Sequence, residues 1–312
     1  MARILVTGGA GFIGSHVVDA YLAAGHDVAV VDNLVSGDRR NLADGVPLHE
    51  VDIRAPELAE VFAAFQPEYV NHLAAQMDVR RSLEAPAFDA DNNVLGTINV
   101  LECCRAHDVR KLLFASTGGA IYGEPAALPA DEHTAPRPLS HYGTSKLCGE
   151  HYIRLYSRLY EIDHTILRYP NVYGPRQNPH GEAGVCAIFI GKLLAGETPV
   201  LYGHGAPVRD YVYVGDIARA CLAALELGSD ATLNLGSGVG TSVRELFETV
   251  ARLLHWEGEP ELKPLRNGEV DRITITGVHA AQVLGWHAEV SLEAGLGETI
   301  AWMRARADAE GA

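Results

Sequence analysis

No stretch of this chain is apolar for long enough to cross a bilayer, and its 14 histidines fall in no H-E-x-x-H or clustered acid/His pattern that would hold a metal. The five cysteines, Cys103, Cys104, Cys148, Cys186 and Cys221, show no C-x-x-C spacing, so a disulfide framework is not indicated. Free buried thiols in a reducing compartment are the expectation. Basic residues are scarce: 25 Lys and Arg stand against 40 Asp and Glu, a formal net charge of −15. A broad basic surface for nucleic acid is therefore excluded, and an anionic ligand would need locally concentrated arginines. Internal repeats and low-complexity segments are absent, and the first strand-like residues come within three positions of Met1. A cytoplasmic protein without membrane or nucleic-acid partners is expected. At 312 residues and 47% hydrophobic, the chain is long enough to bury a core without disulfides or metals.

What is present is a rhythm. Strand-like RILVTG (3–8), DVAVVDN (27–33), PLHEVDIR (47–54), EYVNHLAA (68–75), KLLFAST (111–117) and DHTILRY (163–169) alternate with helical patterns at 16–25, 56–65, 86–107 and 142–160. This predicts right-handed crossovers, a parallel sheet and helices on both faces, a Rossmann-type doubly wound α/β fold. After residue 170 the rhythm loosens. PNVYGPRQNPHGEAG (170–184) reads as a loop, 185–196 as a helix, and 212–227 with 232–237 as a return to the sheet. The remainder carries helices at 242–255 and 291–306 around a strand-like DRITIT (271–276). Residues 1–169 with about 210–237 are expected to form a nucleotide domain, and 170–209 with 238–312 a smaller interleaved α/β cap that binds substrate.

Between the first strand and the first helix lies Gly8-x-x-Gly11-x-x-Gly14. Such a triplet suits a tight turn, close approach of backbone to a pyrophosphate, and close packing of helix on strand, with the helix N-terminus facing the phosphates. The second strand ends at Asp32, where a carboxylate accepts from an adenosine ribose and repels a 2′-phosphate, favouring NAD over NADP; Arg39 and Arg40 nearby weaken that preference. Asp52-Ile53 leaves two readings open, an adenine contact or a helix cap before Pro56.

SHYGTSK places Tyr142 and Lys146 four apart at a helix start, hence on one face. A free phenol has a pKa near 10; lowering it by about 3 units needs roughly 4 kcal/mol of preference for the phenolate, which a neighbouring ammonium helps supply. Ser116 and Thr117 end a strand where open α/β sheets bind ligands. His72 reads as a buried, hydrogen-bonded residue, and His180 as part of a substrate loop.

TGGAGFIG, Asp32, NHLAA (71–75), NNVLGT (92–97), YGTSK, LRYPNVYGPR (167–176) and RDYVYVGD (209–216) occur in this order. Together they resemble the extended short-chain dehydrogenase/reductase family, and within it nucleotide-sugar epimerases of the UDP-glucose 4-epimerase type. The resemblance spans essentially the whole chain. It implies Tyr142 as base, Lys146 as its electrostatic partner and ribose ligand, and Thr117 on the sugar's 4-oxygen. It implies a bound NAD lined by Gly8, Gly11, Phe12, Ile13, Gly14, Asp32, Asn33, Asp52, Ile53, Leu73, Ala74, Ala75, Asn93, Ser116 and Tyr169. Asn171, Arg209, Arg266 and Glu269 would hold the nucleotide diphosphate sugar, and the helices around 86–107 and 142–160 would pair two copies as a homodimer. No metal is implied. Where dehydratases of the family carry Asp-Glu after the threonine, this chain has Gly118, Gly119 and Ala120, which exchange no protons; reversible oxidation at C4 is left. The extra glycine lengthens the strand end by one residue and is expected to shift Thr117 or form a bulge. UDP-glucose/UDP-galactose exchange is the first expectation, with UDP-glucuronate, UDP-N-acetylhexosamine or another nucleotide sugar as alternatives. An NADP-dependent reductase and a non-catalytic NAD-binding regulator stand further off.

Overall fold

The computed structural model describes residues 1–179, 184–265 and 270–311. Its first half runs β1 (Arg3–Thr7), α1 (Phe12–Ala23), β2 (Asp27–Asp32), β3 (Leu48–Glu50), α2 (Leu58–Phe65), β4 (Tyr69–His72), α3 (Val79–Glu84), α4 (Pro86–Ala90), α5 (Gly96–Ala106), β5 (Lys111–Thr117), α6 (Gly118–Ile121), α7 (His141–Tyr160) and β6 (Asp163–Tyr169). The second half adds β7 (Asn171–Tyr173), α8 (Val185–Leu194), β8 (Val200–Tyr202), β9 (Val208–Tyr213), α9 (Val214–Ala224), β10 (Ala231–Asn234), β11 (Gly240–Ser242), α10 (Val243–Leu254), β12 (Glu261–Lys263), α11 (Val278–Leu284) and α12 (Leu292–Gly311).

Seven strands form one sheet in the order β10-β6-β5-β4-β1-β2-β3, every pair parallel. The order reverses between β1 and β4, and a doubly wound sheet opens its ligand crevice at that point, beyond the carboxyl ends of the strands. One face is covered by the α1 and α9 side of the core, with Val17, Val18, Tyr21, Ile217 and Cys221 fully buried. The other is covered by α2, α5 and α7 through Leu58, Phe62, Val100, Leu101 and Ile153. Burial on both faces explains why β5 reads as a run of apolar and small residues without alternation.

The helix expected over 86–107 is real but not uniform. Residues 91–95 widen into a π-helical turn in which the Gly96 amide reaches back to the Asp91 carbonyl. At its centre the Asn93 side chain turns inward, accepting from Gln76 N at 2.8 Å and donating to Gln76 O at 2.8 Å. π-bulges of this kind concentrate at functional sites.

A second core gathers Phe189, Ile190, Leu246, Phe247, Val250, Leu296 and Ile300 from α8, α10 and α12. The loop expected at 170–184 contains a short strand, β7, paired parallel to β9. The strand expected at 271–276 reduces to isolated bridges, Val208 to Arg272 and Ala130 to Ile275. The first helix begins at Phe12 rather than His16, because Gly11 already serves as its N-cap.

Candidate active site

The turn after β1 is built by steric exclusion. Gly8 adopts φ +71°, and a Cβ there would lie 2.7 Å from the Ala74 amide nitrogen. A Cβ on Gly14 would lie 2.1 Å from the Gly8 carbonyl oxygen, so only glycine lets α1 pass this close to the turn. The N-cap of α1, Gly11, contributes no side-chain acceptor, whereas α3, α7 and α10 are capped by Asp78, Ser140 and Ser242. The first-turn amides of α1 and the positive end of its dipole therefore carry no side-chain cap. Asp32 lies beside them, its Oδ2 accepting from Ala10 N at 3.0 Å and its Oδ1 from Leu34 N at 2.9 Å. Burial pushes this carboxyl above its usual range, against the pull of those two amides. Leu73 N and Ala74 N both bond the Thr7 carbonyl, which brings the end of β4 across the glycine turn.

On the far side of the crevice, α7 is set by the Ser140 hydroxyl accepting from Gly143 N at 3.1 Å. A Cβ on Gly143 would stand 2.6 Å from the Ala120 carbonyl oxygen, so that glycine permits α6 and α7 to touch. The approach brings Tyr142 to Thr117. The Thr117 hydroxyl lies close enough to the phenol to favour its charged form, while also accepting from Ala120 N at 3.2 Å. The Gly118–Gly119 pair forms no bulge: it is the first turn of α6, and Thr117 is its N-cap. One turn along α7, the Lys146 ammonium is buried over the Phe114 ring, 4.8 Å from its centroid. Among the described residues it makes no hydrogen bond. Burial, helped by the charge of Asp89, pushes Tyr142 up to about 12. Burial lowers Lys146 to about 8, opposed by Asp89. A phenol this reluctant needs added positive charge to act as a base near neutrality.

Several expected contacts fall elsewhere. Ser116 donates to Glu150 Oε1 at 2.6 Å, so its hydroxyl is part of an internal network and not of the crevice. The Tyr169 side chain lies in the core with its hydroxyl 3.3 Å from Cys221 Sγ. Asp52 is engaged by Arg54 at 2.8 Å and by Asn33 Nδ2 at 2.9 Å, which spends the carboxylate proposed for adenine, and it caps no helix. Ile53 packs in the core of the α2–α5 face, against Gly96. Phe12 and Ile13 open α1 and are half-buried; Ala75 follows at the end of β4. Asn93 holds the 73–76 segment by its Gln76 contacts. Arg209 turns its guanidinium onto the carbonyls of Val208, Val270 and Asp271, fastening β9 to the segment that follows 270. His180, Arg266 and Glu269 lie outside the described residues.

Asn171 borders a narrow crevice lined also by Gly118, Gly119, Pro170, Asp210 and Ile275, too tight to hold a water. Asp210, nearly fully buried, accepts from Ser237 N and Oγ, Gly238 N and Ile275 N, and thereby fixes the wall of this crevice. Its role went unread in RDYVYVGD, although a charged residue two places before a buried Val212 was a signal. Glu150 was also missed: it follows Tyr142 and Lys146 at a further four residues, on the same face of α7.

Residues 4–236 match the model of the NAD dependent epimerase/dehydratase family. The chain belongs to that family. It is 43% identical over 308 residues to the UDP-glucose 4-epimerase of Mycolicibacterium smegmatis, covering 97% of this chain and 98% of that one. It is similar to the crystal structure of UDP-glucose 4-epimerase with UDP-glucose from Thermotoga maritima, at 46% identity and a TM-score of 0.96 over 98% of this chain and 99% of that one. The Thermus thermophilus UDP-glucose 4-epimerase, solved as a complex with NAD, gives 45% identity and a TM-score of 0.91, covering 97% and 99%.

The family cofactor, NAD, fits the residues present. The glycine turn bars a side chain at Gly8 and Gly14, the α1 amides carry no side-chain cap, and a buried ammonium stands without a hydrogen-bond partner among the described residues. Each is a group whose polar capacity a dinucleotide diphosphate or ribose would satisfy.

Proposed function

We propose that this family member is a UDP-glucose 4-epimerase, interconverting UDP-glucose and UDP-galactose through a transient 4-keto sugar. The reading rests on the convergence of Thr117, Tyr142 and Lys146 at the carboxyl end of β5, on the side of the crevice opposite the glycine turn. Bound NAD supplies a reversible hydride acceptor for the sugar C4. The Tyr142 phenolate takes the proton from the 4-hydroxyl and later returns it. Thr117 holds the same oxygen, and its N-cap bond to Ala120 fixes where its hydroxyl sits. Lys146 supplies the positive charge that lets the phenol ionise. The glycine turn, Asp32 and the Leu73–Ala75 segment would hold the dinucleotide.

Inversion requires the keto sugar to present its other face while the diphosphate stays anchored. Asn171, Arg209, Arg266 and Glu269 are assigned to that anchoring. Arg209 meets a phosphate only by giving up part of its carbonyl contacts, so we place it as a secondary anchor that also organises the cap. The absence of an acid or base at Gly118, Gly119 and Ala120 argues against a dehydratase.

A homodimer is part of the same proposal. Tyr152, Leu155 and Leu159 form an exposed apolar stripe on α7, between 37% and 57% accessible. A second copy would cover it. Among the described residues no helix is long and apolar enough to cross a membrane. All five cysteines are free, four of them buried, which supports placing the enzyme in a reducing compartment.

The test is product analysis by NMR after incubating the purified chain with UDP-glucose, UDP-galactose, and their N-acetyl and uronate counterparts. Exchange confined to the glucose/galactose pair without added reductant supports the proposal. Exchange of the uronate or N-acetyl pair alone replaces the substrate, and net consumption of cofactor replaces the reaction.

A further inference from the structure

Asp89, on α4, is a fully buried carboxylate near Tyr142 and Lys146 that, unlike Glu150, has no cation paired with it among the described residues, and nothing in the motifs pointed to it. Three donors from three different elements converge on it. Ser145 Oγ donates to Oδ2 at 2.6 Å from α7, Gln76 Nε2 to Oδ1 at 2.9 Å from the segment after β4, and Asn93 Nδ2 to Oδ1 at 3.1 Å from the π-helical turn. All three partners give a hydrogen and none takes one, the arrangement that suits a carboxylate. Ser145 immediately precedes Lys146, so the shortest of these bonds fixes α7 at the position of the lysine.

We infer that Asp89 is a positioning residue whose buried carboxylate keeps the Lys146 ammonium charged at the pH of catalysis. The inference rests on the epimerase reading only for its consequence in turnover. An ammonium enclosed by apolar surface and stacked over Phe114 loses hydration, which favours the neutral amine. Nothing described bonds it directly, so a counter-charge across a low-dielectric gap is what opposes that loss. Asp89 acts on both catalytic groups: it supports the charge on Lys146 and resists the charge on Tyr142. The first effect is the useful one, since a neutral lysine could not assist the phenolate at all.

Other ionisable groups around α7 are otherwise engaged. His72 of β4 is held neutral by burial and by Lys146 itself, bonding Thr7 and Thr97. Arg81 of α3 stacks over Phe88, and Arg54 pairs with Asp91 of the π-helical turn. Glu102 of α5 pairs with Arg105 and Tyr156, and Arg168 of β6 is closed on Glu150.

The chain has only four lysines, Lys111, Lys146, Lys192 and Lys263, so lysine labelled at the ε-carbon gives a resolvable NMR titration, with Lys146 assigned by Lys146→Arg. In the full chain Lys146 should titrate near 8. Asp89→Asn should lower that midpoint by about one pH unit or more, a tenfold change in proton affinity. Ser145→Ala keeps the charge and removes one bond; its midpoint should stay within a few tenths of the parent, which also separates electrostatics from damage to the fold. The alkaline limb of kcat should move with the NMR midpoint. An unchanged midpoint in Asp89→Asn, or an equal fall in Ser145→Ala, overturns the inference. Absence of epimerase turnover in the parent would refute the functional reading and leave the NMR result standing.

Discussion

Glu150 and Arg168 form a bidentate pair in the middle of the molecule, 2.8 Å from Nε to Oε1 and 2.6 Å from Nη2 to Oε2, both side chains essentially excluded from water. The pair joins α7 to β6, and its other bonds extend to Ser116, Tyr122 and Arg154. Through Tyr122, which donates to Asn234 at 2.8 Å, the network also reaches β10. Because Glu150 lies one turn beyond Lys146, this ion pair fixes the helix that carries the catalytic groups against β6, and the Ser116 bond to Glu150 ties the same point to β5, the strand that carries Thr117.

Removing only one partner should be severe. Arg168→Met leaves Glu150 buried without its bidentate partner, held only by Ser116 and the partly exposed Arg154, and a loss of about 3 kcal/mol is expected in urea unfolding. Glu150→Leu combined with Arg168→Met should lose less than the sum of the single changes, since no lone charge then remains. Additive losses would show that the two residues act independently. The charge also sets an acid dependence. Arg168 and Ser116 hold the Glu150 carboxyl below its usual range despite burial, so its stabilising contribution is present above the unfolded value of about 4.3 and is lost as pH falls through the lower folded value. The double variant should lack that component.

Tyr142→Phe isolates the proton-transfer step. The phenol is half-buried and no described partner depends on it structurally beyond the Thr117 hydroxyl. Turnover should fall by about 10²–10⁴-fold, while the affinity for nucleotide and the unfolding midpoint stay near the parent. Thr117→Val should lower turnover less and also destabilise the first turn of α6, because the N-cap acceptor for Ala120 disappears. A Tyr142→Phe chain with full activity would remove the base from the mechanism.

The glycine turn offers a way to separate fold from cofactor. Gly14→Ala puts a methyl 2.1 Å from the Gly8 carbonyl oxygen, so α1 must shift, and overpacking of this kind costs about 1–3 kcal/mol. Gly11→Ala meets the same oxygen at 3.2 Å, a contact that a small adjustment absorbs. The Gly14 variant should therefore unfold earlier and retain less NAD. The Gly11 variant should unfold near the parent yet still lose NAD, because its methyl stands at the N-terminus of α1. Equal NAD content in the Gly11 variant and the parent would move the pyrophosphate away from this helix end.

Much of this architecture was readable because it is local. Lys111–Thr117 and Asp163–Tyr169 fall where their composition placed them, and the Tyr142–Lys146 spacing holds on one face of α7. The parts that could not be read depend on distant partners. Asn171–Tyr173 became a strand only because β9 offers an edge, although Pro170 and Gly174 flank it like loop residues. DRITIT alternates as a strand should, yet finds isolated bridges at Arg272 and Ile275 instead of a ladder. Ser116 was expected to line the cofactor beside Thr117, but adjacent residues of a strand point to opposite faces; the face alone sent one hydroxyl to Glu150 and the other to Tyr142. Asp89 has no local signature, since Gln76 and Ser145 reach it from 13 and 56 residues away.

His72 supplies the last expectation. Its ring is buried between Thr7 Oγ1 at 2.7 Å and Thr97 Oγ1 at 3.1 Å, tying β1 to α5 directly beneath the glycine turn. Burial, reinforced by Lys146, drops it to about 3 from the ordinary histidine value. The unfolded chain therefore binds a proton here that the folded chain refuses. The neutral ring's contribution to stability is complete above about pH 6.5 and is lost as pH falls toward the folded value, at a rate approaching 1.4 kcal/mol per pH unit. Substituting His72→Gln keeps one donor and one acceptor but cannot titrate. At pH 8 the variant should be less stable than the parent through altered packing, and the deficit should shrink as pH drops from 6.5 toward 4. Urea unfolding at a series of pH values reads this directly. A deficit that stays constant over that range would mean that His72 is protonated in the fold, or that the segment opens before the ring is asked to charge.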